Sequence, residues 1–263
     1  MHTKVIEVEE LQDVVAVDVS PDSTRFATGT RAKEASVWSI ATGQRLVGPL
    51  KHDVDVTGIR FSPSGEHIAT VCPLRSISIF NSHTGDKLIT IHTDTTGWSP
   101  STPLAWSSDG QQIFTASYHN KIRAFDAFTG TQLTESQTLY ADDNIRSIAL
   151  ATNGNFIATL AGDSFRVAFL DTLTLAHIGP VIENSEDISS ISISPDSSRL
   201  ATAGDRGKIV IRDLGNIFPE LYGPFNVSIA CLIAPVPSPT LTKHVGIYSR
   251  TRRAAFGIGL PRR

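Results

Sequence analysis

Cysteine, methionine and aromatic residues are scarce in this 263-residue chain, which has two Cys, one Met and only 7% Phe, Trp and Tyr together. Two lone cysteines, Cys72 and Cys231, exclude a disulfide scaffold and a four-cysteine metal cage. Long apolar runs are missing too. The longest, Val227 to Val236, is far short of the roughly 20 residues a membrane-spanning helix needs. The N-terminal MHTKVIEVEE is acidic without an apolar segment, so it does not read as a secretory signal. The expected address is the cytoplasm, with the nucleus as the alternative. Acidic residues are absent from one end: Asn226 to Arg263 holds six Lys and Arg and no Asp or Glu. Set against the whole-chain charge of -3, that leaves -9 on residues 1–225. An acidic body has the wrong sign for a phosphate-binding face, so neither nucleic acid nor a membrane is expected as the main partner.

What the chain does have is a repeat. The segments FATGT, IATVC, IFTAS, IATLA and LATAG all carry threonine third, at Thr28, Thr70, Thr115, Thr159 and Thr202, spaced by 42, 45, 44 and 43 residues. Upstream of each lies a pair of apolar residues two apart: Val17 and Val19, Ile59 and Phe61, Leu104 and Trp106, Ile148 and Leu150, Ile191 and Ile193. That spacing puts both side chains on one face of a strand. Between the two runs stand SPDS, SPSGE, SSDGQ, ATNGN and SPDSS, whose Pro, Asp, Asn and Gly supply turn geometry. A third run follows (SVWS, SISIF, IRAF, RVAFL, IVIR), and in the first three units a second turn, TGQ, TGD or TGT. A weaker fourth run, such as KLITIH at 87–92, closes each unit. Five units of four short strands are expected from Val14 to about Phe225. A sandwich also has regularly spaced strands, but it does not repeat turn chemistry and a fixed threonine.

A period of about 43 residues with four strands per unit and a closing Trp-Asp slot resembles the WD-repeat β-propeller family. The slot reads Trp38-Ser39, Phe80-Asn81, Phe125-Asp126, Leu170-Asp171 and Arg212-Asp213, and GPLKH at 48–52 is similar to the family's Gly-His element. The repeats also resemble the divergent WD repeats of filamentous fungi. The resemblance implies an all-β fold of five recognisable blades, at 14–53, 54–97, 98–141, 142–184 and 185–225. It also implies a buried Asp-His-Ser/Thr-Trp hydrogen-bond chain within blades. Here the threonine is present throughout, the tryptophan only as Trp38, the histidine only as His52, and the aspartate only as Asp163. No unit keeps the whole chain, so stability is expected to rest on apolar packing and strand ladders.

The ends carry two further expectations. TKVIEVEE at 3–10, within residues 1–13, reads as a closing strand, and ELYGPF at 220–225 as the fourth strand of the fifth unit. Residues 226–263 read either as a degenerate sixth blade or as a basic tail foreign to the fold. A ring short of the common seven blades leaves open that the chain is a fragment.

No GxSxG, HExxH, phosphate-loop, paired-cysteine or calcium-loop pattern occurs. No catalytic, cofactor-binding or metal-binding residue is therefore assigned, and a non-enzymatic protein-interaction scaffold or adaptor is expected. The alternatives are the sensor portion of a larger signalling NTPase or a piece of a longer WD-repeat protein. In the family, the loops between units and those joining second and third strands share one face around the channel. Here they carry Arg31, Lys33, Lys51, His52, Arg75, Trp98, His119, Asp163 and Arg206. Of these, Arg31, Lys51, His52, Arg75, Trp98, His119 and Arg206 are the candidate contacts to partner proteins, since Arg and Trp are common anchors. Trp98 either docks a partner or tucks against its neighbouring blade.

Overall fold

Alternating apolar residues become strands once turns fold them into hairpins, and here every strand pairs with its chain neighbour. The computed structural model describes residues 13–72, 76–93, 103–116, 120–140, 145–161, 165–185, 187–204 and 207–219. The first sheet is β1 (Val14–Val19), β2 (Arg25–Thr30), β3 (Glu34–Ser39) and β4 (Arg45–Lys51). The second is β5 (Gly58–Phe61), β6 (His67–Cys72), β7 (Ser76–Asn81) and β8 (Lys87–His92). The third is β9 (Leu104–Trp106), β10 (Gln112–Ala116), β11 (Ile122–Asp126) and β12 (Gln132–Glu135). The fourth is β13 (Ile145–Leu150), β14 (Phe156–Ala161), β15 (Arg166–Asp171) and β16 (His177–Glu183). The fifth is β17 (Ser190–Ile193), β18 (Arg199–Ala203) and β19 (Ile209–Asp213), followed by a short helix α1 (Leu214–Ile217). The chain divides into two compact units, Met1–Pro224 and Phe225–Arg263, and every described residue belongs to the first. The expected strands at 3–10 and 220–225, and both readings of residues 226–263, fall outside the described residues.

Register confirms the repeat residue by residue. Each recurring threonine faces the upstream apolar residue of its own unit: Val17 with Thr28, Ile59 with Thr70, Leu104 with Thr115, Ile148 with Thr159, Ile191 with Thr202. Five separate antiparallel sheets, each built the same way, are blades and not the two faces of a sandwich.

The first hairpin of a unit is held by its serine. Ser20 Oγ accepts the Arg25 N–H at 2.9 Å and donates to Asp22, which also accepts from Thr24. Ser62, Ser107 and Ser194 accept the N–H five residues on in the same way. Ala151 stands in that place in the fourth unit, where only the backbone pair with Phe156 remains. The donors hold two of the turn carboxyls at about 2, Asp22 chiefly through the Ser20 hydroxyl and Asp196 chiefly through that of Ser194.

Two local features depart from the expectation. The second turn, read in three units, recurs in the fourth: Leu175 at φ 52° takes the place of Gly43, Gly85 and Gly130. A left-handed leucine costs about 1–2 kcal/mol. Its side chain is only 2% exposed, and burying a leucine returns about 1.5–3 kcal/mol, so packing prevails. The helix α1 was not foreseen either. Asp213 caps it by accepting the Gly215 N–H at 2.8 Å, and Phe218 just beyond it is buried.

The core lies between consecutive sheets. One apolar cluster joins Ala27 and Val37 to Ile59 and Phe80, and another joins Ile79 and Val71 to Trp106 and Phe125. A third joins Phe114 and Ala124 to Ile157 and Leu170, and a fourth joins Phe156 and Phe169 to Leu200 and Phe218. The first strands touch in series, β1 with β5, β5 with β9, β9 with β13 and β13 with β17. Gly29 marks how close the segment before β5 comes to the first sheet: a Cβ there would stand 2.7 Å from Val56 Cγ1 and 2.9 Å from its carbonyl. Val17 and Val19 on β1 are 58% and 53% exposed, and Ile209 and Ile211 on β19 are 68% and 64% exposed.

Candidate functional site

The turn between β2 and β3 and the segment after β4 meet at one end of the first sheet. Arg31 N–H donates to Asp13 O at 3.1 Å, His52 N–H to Lys33 O at 2.9 Å, and Val56 N–H to Thr30 O at 3.0 Å. Backbone ties of this kind fix the loops while the long side chains stay in water. Arg31, Lys33 and Lys51 are exposed, and the Lys51 ammonium pairs with the Glu34 carboxylate. The structure thus brings Arg31, Lys33, Lys51 and His52 together at one end. Arg75, Trp98, His119, Asp163 and Arg206 lie outside the described residues.

His52 faces inward. Its Nε2 lies 2.9 Å from Thr70 Oγ1 and its Nδ1 3.0 Å from Leu50 O, with the ring edge-on to Phe80 at 5.5 Å. It therefore links the first sheet to the second. Burial lowers its pKa, the Leu50 carbonyl opposes that, Lys87 adds to the lowering and Asp53 works against it. A histidine whose folded pKa lies below 6.5 takes up a proton more readily when unfolded, so the stability it supports is lost as pH falls below that value. Thermal melts between pH 7.5 and 5.5 are expected to show this loss, and His52→Gln to flatten the slope. An equal slope in the variant would assign the pH response elsewhere.

The threonine-centred hydrogen bonds are rebuilt from unit to unit. Trp38 Nε1 donates to Thr28 Oγ1 at 2.9 Å in the first. In the fourth, Tyr140 fills the histidine's place, its hydroxyl 3.2 Å from Thr159 Oγ1, donating to Thr159 O at 3.1 Å and accepting the Ala168 N–H at 3.1 Å. In the fifth, Arg212 fills the tryptophan's place and donates to Thr202 Oγ1 at 3.2 Å and to Asn184 Oδ1. His52 is thus one of two residue types at that position, where the sequence showed only one. Spacing was the available signal, since Tyr140 precedes Thr159 by 19 residues and His52 precedes Thr70 by 18. Tyr140→Phe removes a buried hydroxyl's hydrogen bonds from a backbone pair that the β14–β15 ladder still joins, and is expected to cost about 0.5–1.5 kcal/mol. Chemical denaturation of the variant checks this.

Two cavities adjoin this end. One of about 470 Å³ is lined by the first strands of four sheets and by Ser189 just before β17, with Val17, Ile59 and Leu104 among its walls and, among the described residues, Arg60 and Arg146 as its charged groups. Arg60 reaches Asp18 at 3.7 Å, and Asp18 accepts the Phe61 N–H at 2.7 Å. The other, of about 360 Å³, lies between the end of β16 and the strands β18 and β19 and contains Arg212. Among the described residues no three His, Cys, Asp or Glu side chains group to hold a metal, and no helix is long and apolar enough to cross a membrane.

A family model for the WD domain, G-beta repeat, matches residues 44–81 and 174–213. Each match runs from the last strand of one sheet through the third strand of the next, so the sequence repeat straddles two blades. Among curated proteins, the chain is similar to the chromatin assembly factor 1 subunit FAS2 homolog of Oryza sativa subsp. japonica. The two are 29% identical over 174 residues, which is 59% of this chain and 32% of that one. It is also similar to eukaryotic translation initiation factor 3 subunit I of Aspergillus terreus, 24% identical over 204 residues, covering 73% of this chain and 59% of the relative. A WD repeat-containing protein of Schizosaccharomyces pombe is 25% identical over 174 residues, 65% of this chain and 29% of its own. The chain therefore spans only part of the length of the relatives it matches. Repeat spacing, the five antiparallel sheets and these matches together show that the chain carries WD repeats folded as propeller-type blades.

Proposed function

We propose that the chain is a non-enzymatic interaction scaffold or adaptor that binds other proteins through the loop end of its blades. The observation that carries this reading is the set of exposed basic side chains, Arg31, Lys33 and Lys51, mounted on backbone-tied loops beside a cavity lined by the first strands of four sheets. Rigid placement lowers the entropy lost on docking, which favours a binding surface. His52 serves this surface by fixing the loop from within, and Arg75, Trp98, His119 and Arg206 complete the proposed contact set. Two relatives are named as subunits of larger factors, which supports a role in assemblies. Among the described residues, the charged lining of the larger cavity is two arginines, Arg60 and Arg146, which suits binding.

Affinity purification of the tagged chain with mass spectrometry tests the reading. A stoichiometric protein partner is expected, with recovery falling several-fold in the Arg31→Ala, Lys51→Ala double variant at unchanged melting temperature. Equal recovery would remove those two residues from the surface. Absence of any partner together with turnover of a small substrate would overturn the scaffold.

A further inference from the structure

We propose that the cavity between the fourth and fifth sheets binds a carboxylate, and that its natural occupant is an acidic side chain of a protein partner. The position of Arg212 is held by Trp38, Phe80, Phe125 and Leu170 in the other four units, all at most 4% exposed. Here the apolar filler is exchanged for a guanidinium, and a cavity of about 360 Å³ stands beside it. That is within the roughly 300–1,000 Å³ of small-ligand sites and ample for a glutamate side chain.

The cation is fixed and its partners are neutral. Thr202 is buried and takes one donor, and Asn184 takes a second. Of the five N–H groups of a guanidinium, three remain, enough for a bidentate carboxylate. Among the described residues no carboxylate lies within salt-bridge distance of Arg212, and desolvation alone lowers its pKa. Among the described residues, the walls hold two acids, Glu183 and Asp187, and two bases, Lys208 and Arg212. Glu183 also pairs with Arg166 at 3.5 Å, so its carboxylate is engaged away from Arg212. A planar carboxylate matches two parallel N–H groups of a guanidinium in a bidentate pair.

The cavity lies at the loop end of the fifth blade, so this inference names the chemistry of one contact and rests on the scaffold reading. The test uses the purified full chain and glutarate. Titration with glutarate is expected to move the Arg212 Nε–Hε signal in arginine-labelled NMR spectra saturably. A fluorescein-labelled glutamate-rich peptide should bind at least tenfold more weakly to Arg212→Gln than to the wild type, with Arg199→Gln, at the exposed start of β18, unchanged. Because Arg212 also supports Thr202, the wild-type titration decides the matter if the variant unfolds. An unmoved Arg212 signal overturns the proposal, and so does inorganic phosphate displacing the peptide as well as glutarate does. Glutarate binding without any cellular partner would instead count against the scaffold alone.

Discussion

Replacement of Phe169 by alanine is expected to lower the unfolding free energy by about 3–5 kcal/mol. Phe169 is fully buried at the junction of the fourth and fifth sheets. Its ring meets Phe156 edge-on at 5.9 Å and Phe218 edge-on at 4.8 Å, so three aromatic rings share one pocket. Removing the middle ring strips contacts from both others, and neither neighbouring sheet can move in without breaking its own ladder. The cost should therefore sit towards the upper part of that range. A denaturant titration with a fixed slope would report it. Phe169→Leu, which retains most of the volume, should cost well under half as much. A loss below 1 kcal/mol for the alanine variant would mean that the junction between these sheets is loose.

The second large effect is polar. Arg25 is 8% exposed, and its guanidinium crosses from the first unit to the second. One amino group donates to Ser82 O at 3.3 Å and Ser82 Oγ at 3.0 Å, the other to Gly65 O at 2.9 Å, and the group lies 5.5 Å from the centre of the Phe61 ring. Arg25→Met keeps the aliphatic stem and removes these bonds, taking the guanidinium from the buried Ser82 carbonyl while Gly65 O keeps the Ser82 hydroxyl. A loss of about 2–3 kcal/mol is expected from charged hydrogen bonds of this kind. The exposed Lys51–Glu34 pair provides the contrast, since its removal should cost less than about 1 kcal/mol. If Arg25→Met and a Lys51→Ala control melt alike, the buried staple contributes no more than a surface ion pair.

Much of this fold is legible in the sequence because a propeller unit repeats the same physical problem. The threonine stands out at a fixed period since its hydroxyl is buried on the second strand of every unit, where it must find a partner. The partner's identity is not legible, because a tryptophan N–H, a tyrosine hydroxyl and an arginine guanidinium can all answer the same hydroxyl. Expecting the half-made polar chain to be left to apolar packing missed that substitution. Leu175 was missed for a related reason: glycine signals a left-handed turn, whereas a leucine held there by burial gives no local sign. At the loop end the basic residues could be picked by position, yet what distinguishes Lys51 from His52 is only which way the side chain faces. Arg212 was seen as a departure from the Trp-Asp slot, while the cavity that this departure leaves depends on packing between two sheets.

The serial contacts from β1 to β5 and onward to β17 also bear on how such a chain is made. Each new sheet docks on one completed about 43 residues earlier, and the entropic cost of closing a loop grows only with the logarithm of its length. Every docking step therefore faces nearly the same barrier, and none has to wait for the far end of the chain. A nascent polypeptide emerging from the ribosome can lay down one blade per repeat, each serving as the template for the next. Misassembly then has one natural form, in which a blade seats on the wrong predecessor. The differing fillers beside the repeated threonines, Trp38, Phe80, Phe125, Leu170 and Arg212, give each seat its own shape.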